Sequence, residues 1–171
     1  MSGRVKLTLI SAAILAATVV LQSTVLRYVA INDVKPDLVT IMLVFMAMRT
    51  GPMVGQLSGF VSGLVQDVLS LPPLGFYAGI RTVIGFVYGH IQGSMFVGSP
   101  LTPILFVLSA VLMKGVIAWI LALVFSVSSK GLGFFGGSFW VEVGYTALLS
   151  PLVFAGLNLL KVYRGKEQEG A

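Results

Sequence analysis

The chain has 171 residues, of which 57% are hydrophobic and only 10% are charged. A soluble domain carries about 25% charged residues, so a water-soluble globule of this composition would lack a polar surface. The composition therefore indicates an integral membrane protein, with residues 1–171 forming a single transmembrane helical domain. The net charge of +5 comes largely from the chain ends. It indicates contact with anionic membrane lipid and gives no sign of nucleic-acid binding.

Six apolar segments follow one another along the chain, and we predict an all-α, polytopic, compact bundle of six transmembrane helices. The first apolar run is too long for a signal-peptide core, so we expect an uncleaved first span. The second segment is short and stops at Gly51-Pro52, which leaves five spans plus a re-entrant segment as the alternative. The segments cover residues 7–29, 38–48, 53–69, 75–91, 101–127 and 139–162.

The lysines and arginines predict the orientation of these spans, because cytoplasmic loops carry an excess of basic residues. With six spans, six basic residues fall on one side of the membrane and three on the other. We therefore expect both termini to be cytoplasmic. The first side carries Arg4, Lys6, Arg49, Lys161, Arg164 and Lys166, and the second carries Arg27, Lys35 and Lys130.

Small residues recur at four-residue steps in three of the segments. Such steps stay near one side of a helix with 3.6 residues per turn, where they form a groove that another helix can approach closely. The grooves serve either packing within the chain or binding of a partner. They contain Ala12 and Ala16 in the first segment, Gly55, Gly59 and Gly63 in the third, and Gly85 and Gly89 in the fourth.

Four ionisable residues lie within or at the edge of the apolar segments. Asp67 and Arg81 fall at similar depth on either side of a tight turn, so we predict an intramembrane ion pair. This pair would either fix the hairpin or form a substrate or proton site. Lys114 and Glu142 differ in predicted depth by about 15 Å, so we do not expect them to pair directly. Lys114 then either snorkels to the membrane surface or needs a polar interior, a backbone carbonyl or another protein.

The chain lacks the usual signatures of catalysis. It contains no HExxH, GxSxG or Walker motif, and Asp67 has no acidic partner at matching depth for an intramembrane aspartic protease. His90 is the one histidine and there is no cysteine, so we expect no metal site. We predict no enzymatic activity and no cofactor.

An ordered set of residues between positions 35 and 89 resembles the bacterial rod shape-determining protein MreD family. The end of the first segment, Leu21-Gln22-Ser23-Thr24, is similar to the family as well. The matching residues, in chain order, are Pro36-Asp37-Leu38, Arg49, Gly51-Pro52, Gly55, Gly59-Phe60, Gly63-Leu64, Asp67, Leu74-Gly75 and Gly85.

This resemblance implies a non-enzymatic inner-membrane scaffold of the cell-elongation machinery, supporting rod shape and lateral peptidoglycan synthesis. The implied partner is MreC, which links the scaffold to MreB, RodA and the elongation-class penicillin-binding transpeptidase.

The chain is also similar in size and in its first small-residue motif to the substrate-binding S components of energy-coupling-factor vitamin transporters. A vitamin binder should gather aromatic and polar groups at the outer helix ends. Trp140 and Glu142 fit that requirement, whereas Trp119 lies deep in the fifth segment. Vitamin binding is therefore the alternative function.

Overall fold

The computed structural model describes residues 3–24, 34–70, 72–91, 101–125 and 137–158, and these residues form six α-helices. The prediction of an all-α protein is confirmed. The predicted ends of the first, fifth and sixth segments, at residues 29, 127 and 162, lie outside the described residues. The helices are α1 (Gly3–Thr24), α2 (Leu38–Thr50), α3 (Pro52–Leu69), α4 (Phe76–His90), α5 (Leu101–Val124) and α6 (Gly137–Asn158).

Three of the six helices are long and apolar enough to cross a membrane by themselves. These are α1 over Val5–Thr24, α5 and α6. The α2 helix has only 13 residues, or about 20 Å at 1.5 Å per residue, which is shorter than a hydrocarbon core of about 30 Å. The described residues form six helices with three candidate spans, and the number of membrane crossings stays a prediction.

The short α2 helix occupies the centre of the bundle. It packs against each of the other five helices, and nine of its 13 residues are buried. The ring of Phe45 in α2 packs edge-on against the ring of Phe154 in α6, with the ring centroids 5.1 Å apart. Because neighbouring helices shield α2, its backbone ends can lie at membrane depth without facing lipid.

A tight turn at Gly51 reverses the chain between α2 and α3. Gly51 has φ 92°, a left-handed value that glycine adopts without the steric cost of a side chain. Its N–H donates to the carbonyl of Ala47 at 2.8 Å, closing the end of α2. Pro52 then opens α3, where its missing N–H costs nothing.

The glycines of α3 and α4 pack these two helices against each other. A Cβ added at Gly55 would lie under 3.0 Å from the backbone of Gly85, and one at Gly59 or Gly63 would meet the backbone of α4 equally closely. Gly89 approaches the backbone of Pro52 in the same way. The groove predicted from the sequence is therefore filled within the chain.

The small-residue motif of α1 is only partly enclosed. Ala12 is 7% exposed, and Ala16 is half-buried. The α1 helix lies against α3 and α2, which leaves its opposite face, including Leu9 and Leu21, exposed.

Successive helices run in opposite directions through the bundle. One end of the bundle holds a cavity. Its lining includes Gln22 and Gln66, near the ends of α1 and α3, and Tyr77 and Glu142, near the starts of α4 and α6. At the opposite end, Arg49 at the end of α2 donates from Nη2 to the side-chain oxygen of Asn158 at 2.7 Å. We call the first the glutamine end and the second the arginine end.

We predict that Gly59→Leu and Gly63→Leu each destabilise the fold by about 1–3 kcal/mol, the usual cost of overpacking a well-packed site. The added side chain must push the α3 and α4 backbones apart. Thermal unfolding of the purified protein in detergent measures this loss.

Gly144→Leu is the matched control for these variants, because a Cβ at Gly144 of α6 meets no atom within 4 Å. Unfolding temperatures for Gly59→Leu and Gly63→Leu that equal the control value would contradict close α3–α4 packing.

Candidate functional site

Polar residues from five of the helices, together with the segment before α2, converge on a cavity at the glutamine end. Its volume is about 320 Å³. Apolar side chains such as Phe76 and Ile80 form part of its wall. The polar lining residues are Gln22, Lys35, Asp37, Gln66, Tyr77, Lys114, Ser138 and Glu142.

Lys114 of α5 binds two carboxylates in this cavity. Its Nζ lies 2.6 Å from Oδ2 of Asp37, and it also donates to Oε1 of Glu142. The side chains of Lys114, Asp37 and Glu142 are 18%, 8% and 23% exposed. A charge in this setting is costly unless it is paired, and these three charges are paired with one another. We call the three residues the ion triad.

The Lys114–Glu142 contact corrects the expectation that their depths forbid pairing. The α5 helix ends at Val124 and α6 begins at Gly137. Counted from these two helix ends, the depths of Lys114 and Glu142 differ by about five residues. At 1.5 Å per residue this is about 7.5 Å, half of the predicted separation. The long lysine side chain covers the remaining distance.

Asp37 joins three helices at the start of α2. Its Oδ1 accepts the N–H of Thr40 at 3.0 Å as an N-cap, and its Oδ2 accepts the Thr40 hydroxyl at 2.7 Å. Its own N–H donates to Oγ1 of Thr146 on α6 at 3.0 Å. In the sequence, Asp37 stands within the family motif Pro36-Asp37-Leu38, and an aspartate before an apolar helix is also a recognisable cap signal.

Asp67 closes the hairpin between α3 and α4. Its carboxylate accepts backbone N–H groups from Gly75, Tyr77 and Ala78 at 2.9, 2.7 and 3.2 Å. These donors belong to the first turn of α4, where N–H groups lack partners within the helix and the helix dipole favours a negative charge. Asp67 is 3% exposed, so its charge is satisfied almost wholly by backbone.

Arg81 also fixes the hairpin, but through different groups. Its Nη1 donates to the carbonyl oxygen of Ser62 at 2.9 Å, and its Nη2 donates to Oε1 of Gln66. The prediction of a direct ion pair between Asp67 and Arg81 is therefore wrong. Both residues stabilise the α3–α4 contact, yet each binds its own partners on the opposite helix.

The remaining chemical groups suit structure better than catalysis. Both oxygens of Asp37 are engaged, and Lys114 is shared between two carboxylates. His90 is exposed, with Nδ1 2.9 Å from the carbonyl oxygen of Phe86. Over the described ranges, no group of three or more His, Cys, Asp or Glu residues could hold a metal ion.

We predict that Lys114→Met destabilises the protein by about 3 kcal/mol at neutral pH, because it leaves the buried carboxylate of Asp37 and the half-buried carboxylate of Glu142 without their cation. Chemical or thermal unfolding in detergent measures the loss. Lys6→Met, at an exposed position near the start of α1, is the control and should unfold like the wild type.

The triple variant Asp37→Asn, Lys114→Met and Glu142→Gln removes all three charges while keeping an N-cap side chain at position 37. It should recover part of the stability lost in Lys114→Met. A triple variant less stable than Lys114→Met would show that unpaired carboxylate charge is not the cause of the stability lost in Lys114→Met.

Comparison with known proteins identifies the family of this chain. A family model described as rod shape-determining protein MreD matches residues 3–160. No curated protein and no solved structure matches the chain significantly. The match extends over nearly the whole sequence, beyond the part between residues 35 and 89 that carried the resemblance. The chain therefore belongs to the MreD family of rod shape-determining membrane proteins.

Proposed function

We propose that this protein is a non-enzymatic scaffold of the bacterial cell-elongation machinery, binding MreC in the inner membrane. Through MreC it would meet MreB, RodA and the elongation-class penicillin-binding transpeptidase, and so support lateral peptidoglycan synthesis. Membership of the MreD family supports a role in rod shape. The proposal of a non-enzymatic role rests on one observation. Asp37, Asp67 and Lys114 are all used in hydrogen bonds between helices.

The glycine stripes bear on where MreC binds. Gly55, Gly59 and Gly63 lie against the backbone of α4, so these residues are occupied within the chain. We propose that MreC contacts a different surface of the bundle.

We further propose that all six helices lie in the membrane, with both termini in the cytoplasm. The alternating helix directions support an even number of crossings. The basic residues predicted for the cytoplasmic side include Arg49, which marks the arginine end. The glutamine end, with the ion triad, then faces outward.

Reporter fusions test this topology. We expect fusions at Ala171 and near Met1 to report a cytoplasmic location, and a fusion near Gly133 to report an external one. The physical reason is the excess of basic residues on the side of the termini. A cytoplasmic signal at Gly133 would contradict the six-span topology and favour an odd number of spans.

Depletion in a rod-shaped host tests the cellular role. We expect rounded cells with disturbed lateral wall synthesis, visible by labelling new peptidoglycan. Re-expression of the wild-type chain should restore rods. The Gly144→Leu variant should restore them equally, because position 144 has room for a larger side chain.

Thermal unfolding tests the partner. A partner that binds the folded state raises the unfolding temperature by mass action, so co-purified MreC should raise it. Vitamins should give no shift. A saturable shift with a vitamin, together with normal cell shape after depletion, would overturn the scaffold proposal.

A further inference from the structure

A second cavity lies between the ends of α1 and α3, next to the ion-triad cavity. Its volume is also about 320 Å³, within the size range of small-ligand sites. The two cavities share Gln22, Lys35 and Gln66. The main lining residues of the second cavity are Gln22, Ser23, Lys35, Gln66, Leu69 and Ser70.

Internal hydrogen bonds hold the side-chain oxygens of both glutamines that line this cavity. Oε1 of Gln22 accepts the N–H of Val39 at 3.3 Å, and Oε1 of Gln66 accepts an N–H of Arg81. Because both partners are donors, the atom that they bind must be the amide oxygen. Among the described residues, no acceptor binds the NH₂ group of either glutamine, so its two donors can bind another acceptor.

The charge of this cavity differs from that of the ion-triad cavity. Among the described residues that line it, Lys35 is the charged one and no carboxylate is present. The carboxylates of Asp37 and Glu142 already bind Lys114. One ammonium and two amide groups therefore offer hydrogen bonds to an acceptor such as a phosphate, whose oxygens bind charged donors strongly.

The helix ends nearby restrict which phosphate compound fits. The cavity adjoins the C-terminal ends of α1 and α3, and the C-terminal end of a helix carries partial negative charge on its carbonyl groups. These carbonyls oppose a bare anion and favour a molecule that also carries hydrogen-bond donors. We propose that the cavity binds a phospholipid headgroup, with its phosphate at Lys35 and its ethanolamine or glycerol donors toward the helix ends.

The surface beside the cavity suits the rest of such a lipid. Leu69 lines the cavity and is 53% exposed. Leu21 on α1 and Val68 on α3 are exposed at the same end of the bundle. Acyl chains can therefore lie along apolar side chains while the headgroup enters the cavity.

Native mass spectrometry of the full-length protein, released from nanodiscs, tests the proposal. The nanodiscs contain equal amounts of phosphatidylethanolamine, phosphatidylglycerol and phosphatidylcholine. We expect several-fold more retained ethanolamine and glycerol lipid than choline lipid, because the choline headgroup has no hydrogen-bond donor.

Two variants place the lipid in this cavity. Lys35→Gln removes the cation, and Gln22→Glu adds a carboxylate while keeping the oxygen that accepts from Val39. Each should abolish most of the lipid preference without lowering the unfolding temperature in lipid-free detergent. Lys6→Gln is the control, because Lys6 lies near the start of α1, at the opposite end of this helix from Gln22. This variant should keep the lipid preference.

Other outcomes would overturn the proposal. These are equal retention of phosphatidylcholine, an unchanged preference in both variants, or an equal loss in Lys6→Gln. Displacement of the lipid by inorganic phosphate at millimolar concentration would assign the cavity to a small free anion instead of a headgroup. Unfolding of Lys35→Gln in detergent would assign Lys35 a purely structural role.

Discussion

The short central helix α2 is the constraint on which the rest of the structure depends. It touches all five other helices, yet at about 20 Å it cannot place both ends at the membrane surfaces. Polar backbone groups at membrane depth must be satisfied by protein. Asp37 does this at one end, where its side chain accepts the N–H of Thr40 and its own N–H donates to Thr146, and Gly51 closes the other end with a backbone hydrogen bond.

Two kinds of contact hold the other helices around α2. The α3–α4 pair relies on glycines, because in lipid close backbone approach replaces the hydrophobic driving force that operates in water. Asp67 and Arg81 then fix the relative position of the two helices through backbone and amide groups. The more apolar α5 and α6 helices are tied to α2 by the ion triad.

This arrangement explains how a membrane protein with few charges holds its helices together. Lys114 and the three acids Asp37, Asp67 and Glu142 each bind a group on another segment of the chain, so their charges hold the bundle together. The glutamine end nevertheless gathers polar groups around two cavities. The sequence did not reveal this convergence, because its members lie on five helices and the segment before α2.

The sequence by itself determined the membrane class, the all-α fold, the approximate helix bounds and the family. These follow from composition, from long apolar runs and from Gly and Pro at turns, which act locally. Only the tertiary structure decided that Lys114 meets Asp37, 77 residues away, and that Asp67 binds the first turn of α4 instead of Arg81. Such pairings depend on the rotation and depth of each helix within the bundle, and packing against distant segments sets both.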